Sequence, residues 1–339
     1  MDHAGFRSLP RGVPLVEVWR GEMLESLHLG HAVIARPDGT VVEAWGEPAL
    51  TVFPRSSCKM IQALPLVEAG LESAPSRLAL ACASHNGAAI HVDGVTDWLG
   101  DLGLSEADMR CGAHQPRDPG ESRRLVREDA APDQRHNNCS GKHTGFLALT
   151  RHLGADAEYV DPTHPVQRAV RAAFEETTGE TSPGFAIDGC SAPNFATSLT
   201  GLARAMARFA AATGDGDGRD RAMHALRTAM VAHPDLVAGE GRACTALMRD
   251  MHGTAVKTGA EGVYVAMLPD APQGPLGVAL KAADGATRAA ETAIAALLVR
   301  LGALDPAAPA ARALIDAPIR NWRGLVTGAI RPADTIRGH

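Results

Sequence analysis

Residues Pro54-Arg55-Ser56-Ser57-Cys58-Lys59-Met60-Ile61-Gln62 mark the point where an extended segment broken by proline gives way to an apolar-periodic run. Ser56 and Lys59 stand three apart, so a helix beginning here puts both side chains on one face, one turn from each other. A serine hydroxyl is inert at its own pKa and needs a neighbour to take its proton. A lysine can do so only where burial or nearby positive charge lowers its pKa. Ser57 equally suits a helix N-cap, the commoner use of serine at a helix start, and Ser-x-x-Lys alone recurs by chance.

Lysine usage sharpens this reading. Only Lys59, Lys142, Lys257 and Lys281 occur, so 29 of the 33 basic residues are arginine. Arginine cannot be deprotonated in a protein, whereas an ammonium shifts its pKa readily and can act as base or even ligand. The surviving lysines are therefore candidates for sites where arginine's chemistry fails. Lys281 is the exception, since it ends an apolar run and suits a solvated strand end.

Composition narrows the class. At 339 residues, 45% hydrophobic and 21% charged, the chain has the make-up of a globular protein of one large or two ordinary domains. A net charge of -6 with scattered arginines leaves no basic stripe, which argues against nucleic acid as a partner. Apolar runs are too short to span a membrane, and Met1-Asp2-His3-Ala4 lacks the start of a secretory signal, so the expectation is a cytoplasmic protein. Cys58, Cys82, Cys111, Cys139, Cys190 and Cys244 lie far apart, as buried thiols or ligands do, rather than as a disulfide framework.

Outward from Ser56 the periodicity sorts the chain into three parts. Upstream, short extended runs around Val16, Val33 and Val42 are broken by turn residues, with Pro37-Asp38-Gly39 as a hairpin signal. Downstream the Ser56 helix carries Met60, Ala63, Leu64 and Val67 and stops near Gly70, and a second helix ends in Ser84-His85-Asn86-Gly87. The alanine-rich middle is helical, with helices predicted over 145–153, 165–177, 195–212 and 220–232. Past it, 255–257, 262–267 and 277–280 read as strands, and 286–301 as a last helix. Strands at both ends with helices between predict an α+β fold: one antiparallel sheet built from both termini, with helices packed on it and a helical lobe. The expected division is a single catalytic unit over 1–339, with a sheet lobe (1–75 plus 250–339) and a mainly helical lobe (76–249). A cleft between them is the natural site. The Pro- and Ala-rich C-terminal tail carries no assignment.

Three pieces then line up in chain order: Ser56-x-x-Lys59, Ser84-His85-Asn86 and Lys257-Thr258-Gly259. They match in type the Ser-x-x-Lys, Ser-Asp-Asn and Lys-Thr-Gly elements of serine β-lactamases and penicillin-binding proteins, and supply attack, proton shuttling and an electrostatic hold on a carboxylate or leaving group. There are departures: His85 replaces the aspartate, and no obvious glutamate stands as a deacylation base. A second cluster has no lactamase counterpart: His136-Asn137-Asn138-Cys139-Ser140-Gly141-Lys142-His143, and later Asp188-Gly189-Cys190-Ser191-Ala192-Pro193. Two thiolates with a nitrogen ligand would suit zinc. Isolated cysteines are more often apolar fillers, and no Cys-x-x-Cys pair is present, so spacing leaves both readings open.

The run Arg55 to Gln62, with His136 to His143 and Asp188 to Pro193, closely resembles the Rhizobium etli-type, or class 3, L-asparaginases, over nearly the whole chain. The resemblance implies a serine β-lactamase/glutaminase-like fold, a homodimer, and hydrolysis of L-asparagine to aspartate and ammonia. It implies two Ser-Lys tandems, Ser56 with Lys59 and Ser84 with Lys257, and a zinc ion held by Cys139, Lys142 and Cys190. A lysine ligand must be neutral, which answers why position 142 is not arginine.

The leading expectation is thus an amidohydrolase in which Ser56, deprotonated through Lys59, attacks the side-chain amide of asparagine and forms an acyl-enzyme that water resolves. Arg55, His136, His143 and Asp188 are candidates to hold the substrate's α-carboxylate and α-ammonium, or equally to cap and pack the loop around them. Alternatives are a β-lactamase-type serine hydrolase or glutaminase, and a zinc-containing amino-acid-binding protein without catalysis. One methylene in a pocket is worth only about 1–3 kcal/mol, so the sequence does not separate asparagine from glutamine.

Overall fold

The computed structural model describes residues 11–337. Its centre is an eight-stranded antiparallel sheet. Across it the strands run Ala317–Arg320, Val326–Pro332, Val13–Arg20, Met23–Ala35, Leu276–Ala282, Val263–Leu268 and Ala255–Thr258, while Val41–Trp45 pairs with Met23–Ala35 off this path. The two chain ends are stitched together at the middle, where Val33 faces Ala279 and Ala32 faces Leu280. The structure is α+β, with the sheet built from both termini.

The Leu276–Leu280 run is buried on both faces, so it reads as a continuous apolar stretch rather than an alternation. Helix Leu199–Ala211 lies against one face, where a Cβ at Gly277 would sit 2.0 Å from the Ala203 carbonyl oxygen and 2.2 Å from the Ala207 nitrogen. Helix Thr287–Arg300, buried along most of its length, also packs on this strand. Only glycine at 277 allows the backbones this close. Ser198 starts the first of these helices by accepting the Gly201 N–H at 2.8 Å.

Several elements differ from expectation. The predicted helix over 195–212 begins only at Leu199, because Pro193–Phe195 pairs with Phe185–Ile187 as a small hairpin. Met23–Ala35 is one strand of 13 residues whose first part is exposed, so it carries little apolar signal. The unassigned tail supplies two sheet strands, half-exposed and too polar to stand out. Helices Ala89–Asp101 and Pro119–Arg127 were also missed, the first interrupted by Gly94 and Gly100 and the second short and polar, with Leu125 its one buried apolar residue. Among the described residues, no helix is long and apolar enough to cross a membrane.

Candidate active site

The turn entering the first long helix is shaped before Ser56 is reached. Arg55 has φ +55°, a left-handed conformation costing a non-glycine residue on the order of 1 kcal/mol or more. Asn194 holds it there: the Arg55 N–H donates to Asn194 Oδ1 at 3.1 Å, and Asn194 Nδ2 donates to the Arg55 carbonyl at 3.4 Å. A 3-10 turn over Arg55–Cys58 then leads into helix Lys59–Glu68, whose residues 59 to 66 are all buried. Ser57 does not cap it; its hydroxyl donates to the Pro54 carbonyl at 2.8 Å.

This places Ser56 beside Ser84, which follows the helix Pro75–Ala81, with the two hydroxyl oxygens 3.3 Å apart. Asn138 Nδ2 donates to Ser84 Oγ at 3.3 Å, so the two serines and an amide form one chain of polar contacts. Lys59 is 1% exposed and donates to the Ala83 carbonyl at 2.5 Å and the Asn138 carbonyl at 3.2 Å. An ammonium has three donors, which leaves one for a hydroxyl or a ligand. Lys59 thereby ties the end of one helix, the loop at 138 and its own helix together.

Lys257, also 1% exposed, comes from the edge strand Ala255–Thr258 and donates to the Thr258 carbonyl at 3.0 Å. The strand end presses on the serine turn, since a Cβ at Gly259 would lie 2.5 Å from the Pro54 oxygen and 3.3 Å from Ser57 Cβ. Burial, and then the positive charge of Lys59, pushes the Lys257 amine down to about 7. The structure thus brings Ser56 and Ser84 together and sets two buried lysines in the same region. It contains no direct lysine–serine hydrogen bond among the described residues, so neither expected tandem is closed.

Next to the serine turn, Arg55 Nε and Nη2 donate to Asp188 Oδ1 at 3.0 and 2.8 Å. Both side chains retain some exposure, 29% for Arg55 and 16% for Asp188, so the pair borders open space. Two residues on, Cys190 accepts from Lys142 Nζ at 3.1 Å, and both are buried. The Cys190 thiol is held well below its ordinary pKa by the Cys139 thiol hydrogen-bonded to it, with Lys142 and His143 adding to the effect. Burial works against the Lys142 ammonium, but the two sulfurs overcome it and its pKa is raised. His143 Nδ1 meets the Tyr159 hydroxyl at 2.9 Å, and its Nε2 is buried without a hydrogen-bond partner. Burial pushes this imidazole down to about 4, with Cys190 opposing.

Among the described residues no group of three or more His, Cys, Asp and Glu side chains is arranged for a metal, so a metal here would need Lys142 as a donor. Two thiols, an amine and an unsatisfied imidazole nitrogen in one buried cluster do suit zinc chemically, provided the ammonium and thiols give up their protons. Such a cluster is an ammonium–thiolate pair by itself.

His136 is placed differently from the other candidates. Its Nε2 meets Glu121 Oε1 at 3.1 Å and its Nδ1 meets Asp133 Oδ1 at 3.0 Å, so both ring nitrogens are engaged by carboxylates that cap and fasten this loop. Conversely, Asn138, Asn194 and Tyr159 were not singled out from sequence. Asn138 lies inside the cluster that drew attention, so its position next to Cys139 was a usable signal. Asn194 and Tyr159 act from other elements, and only the fold brings them in.

The family model of L-asparaginase II matches residues 16–332. No curated protein matches the chain. Solved structures that are similar include Mglu in its native form (13% identity, TM-score 0.41, covering 78% of this chain and 62% of that one). Others are a Bacillus glutaminase (11%, TM-score 0.38, 76% and 84%) and a β-lactamase from Burkholderia vietnamiensis (16%, TM-score 0.38, 78% and 90%). The chain thus spans less than two thirds of the length of Mglu. The family match extends over both halves of the sheet and every residue of the serine, lysine and cysteine clusters, and on it the chain belongs to the L-asparaginase II family.

Proposed function

We propose that this amidohydrolase converts L-asparagine to L-aspartate and ammonia through an acyl-enzyme on Ser56. The observation that supports it most is the pair of serine hydroxyls 3.3 Å apart in a region holding two buried lysines, one of them near neutrality. Ser56 Oγ attacks the side-chain amide carbon; its proton passes to Ser84 Oγ while Ser84 passes its own toward neutral Lys257. That proton is returned to the departing nitrogen, the C–N bond breaks and ammonia leaves. Water then attacks the ester, gives its proton to the same relay, and the C–O bond to Ser56 breaks to release aspartate. Lys59, held by two carbonyls, adds to the burial that lowers the Lys257 amine and places a donor to favour the oxyanion.

Arg55 and Asp188 are the groups to hold the α-carboxylate and α-ammonium of the substrate, since they are opposite in charge, partly open to solvent and adjacent to Ser56. Cys139, Lys142 and Cys190 would hold zinc, whose chemistry there would be to polarise or orient substrate groups. His136 and His143 are assigned to the loop and the cysteine cluster rather than to substrate. We assign the active form as a homodimer on the resemblance alone, and as cytoplasmic on the reading of the sequence given above. The test is ammonia release from asparagine, glutamine and a lactam. Ser56→Ala is expected to lose activity by on the order of a thousandfold or more, and activity near that of the unsubstituted protein would remove Ser56 from the mechanism.

A further inference from the structure

Away from the serine cluster, helix Ala243–Asp250, helix Thr287–Arg300 and helix Pro309–Leu314 border an open cavity of about 280 Å³. Ala243, buried Ala310 and exposed Ala313 give it small apolar walls, and Arg242 and Glu291 line it. Among the described residues neither of these two side chains forms a salt bridge or a side-chain hydrogen bond, although they sit near enough for Arg242 to act on the Glu291 carboxyl. Burial raises the Glu291 carboxyl above its ordinary value and Arg242 opposes the rise. A carboxylate and a guanidinium without protein partners among the described residues line the same cavity, so a ligand carrying both signs can pair with each of them. Other polar groups at the rim are already satisfied: Arg249 pairs with Glu240 at 2.5 Å, and Thr245 Oγ1 donates to the Gly239 and Pro234 carbonyls at 2.6 and 3.1 Å.

We propose that this cavity binds a small free α-amino acid as its zwitterion, the carboxylate on Arg242 and the ammonium on Glu291. The two ends are specific in sign, and a cavity of about 280 Å³ has room for a free amino acid. Helix Ala243–Asp250, which follows Arg242, has no side-chain cap on its first-turn N–H groups. The cavity connects to the serine region by a short path. Cys244, two residues after Arg242, accepts the Thr258 N–H at 3.3 Å and meets the Tyr264 hydroxyl at 2.9 Å, and Thr258 follows Lys257. The ligand class includes the substrate and product of the proposed reaction.

The binding claim does not depend on that reaction. Calorimetric titration of the full chain with glycine, compared with glycinamide and acetate, tests it. Glycine should bind at millimolar concentration, and the two half-ligands at least about tenfold more weakly, because each forfeits one charged contact. Arg242→Leu and Glu291→Gln should each abolish the glycine signal, with unfolding by denaturant unchanged. No glycine binding in the unsubstituted chain, equal binding of glycine and acetate, or a signal unchanged in either variant would overturn the proposal. A loss of ammonia release in Ser56→Ala with glycine binding intact would leave the cavity standing and bear only on the catalytic reading.

Discussion

Lys257 offers the sharpest quantitative prediction, because its replacement should inactivate the protein and stabilise it at the same time. The amine is completely buried, and its pKa falls from 10.5 to about 7. At about 1.36 kcal/mol per pH unit that is a cost of about 5 kcal/mol for holding the charged form inside the folded protein. The sign follows from which state binds the proton. Below about 7 the amine is charged in both states, and the folded state bears the whole cost. Between about 7 and 10.5 the unfolded chain binds a proton that the folded one does not, so stability rises with pH, and above 10.5 the cost is gone. Lys257→Met keeps the bulk and removes the charge. It should raise unfolding free energy by a few kcal/mol near neutrality, up to about 5, and the melting temperature by roughly 5–10 °C. It should also flatten the alkaline rise in stability. Denaturant unfolding over a pH series, with ammonia release measured alongside, is the assay. A Lys257→Met protein no more stable than its parent near neutrality, with the same pH slope, would refute both the burial penalty and the argument that this lysine is the poised base.

The same group sets the pH profile: kcat should rise with pH through an apparent pKa of about 7, since only the neutral amine accepts a proton, and Lys257→Arg should abolish that limb together with activity. Replacing Arg55 with lysine loses the two-donor contact to Asp188 and should raise KM for asparagine by roughly tenfold to a hundredfold, read from initial rates. Gly259→Ala puts a Cβ 2.5 Å from the Pro54 oxygen, and the resulting shift of the serine turn should lower kcat and cost about 1–3 kcal/mol of stability by denaturant titration. Elemental analysis should find one zinc per chain, lost in Cys190→Ala. A metal-free protein with full activity would remove zinc from the site.

The ends-to-middle sheet was legible because the strands near Val33 and Ala279 are apolar without a break, and such runs survive single-sequence reading. The leading part of Met23–Ala35 was not, since those residues stand in water and their pairing rather than their side chains makes them a strand. Within the site, the scarcity of lysine pointed to Lys59, Lys142 and Lys257 before any geometry existed, and all three are buried. The division of labour between the lysines was not readable. A spacing of three residues put Lys59 next to Ser56 on a helix face, but the carbonyls of Ala83 and Asn138, reached only by folding, take up its ammonium. For His136 the sequence left substrate binding and loop capping equally open, and Glu121, which with Asp133 engages its ring, is brought to it only by folding.

The seam between Met23–Ala35 and Leu276–Ala282 carries a consequence for how the molecule comes into being. Ser56 and Ser84 leave the ribosome early, yet the strand bearing Lys257 is anchored to the early strands only through partners synthesised near the end. Nascent chains are therefore chemically silent until translation is almost complete, and they wait with the long edge of an unfinished sheet uncovered. Loop closure over such a span is slow, so premature termination or ribosome stalling past the helical middle should yield aggregation-prone, inert polypeptide rather than a partially active enzyme.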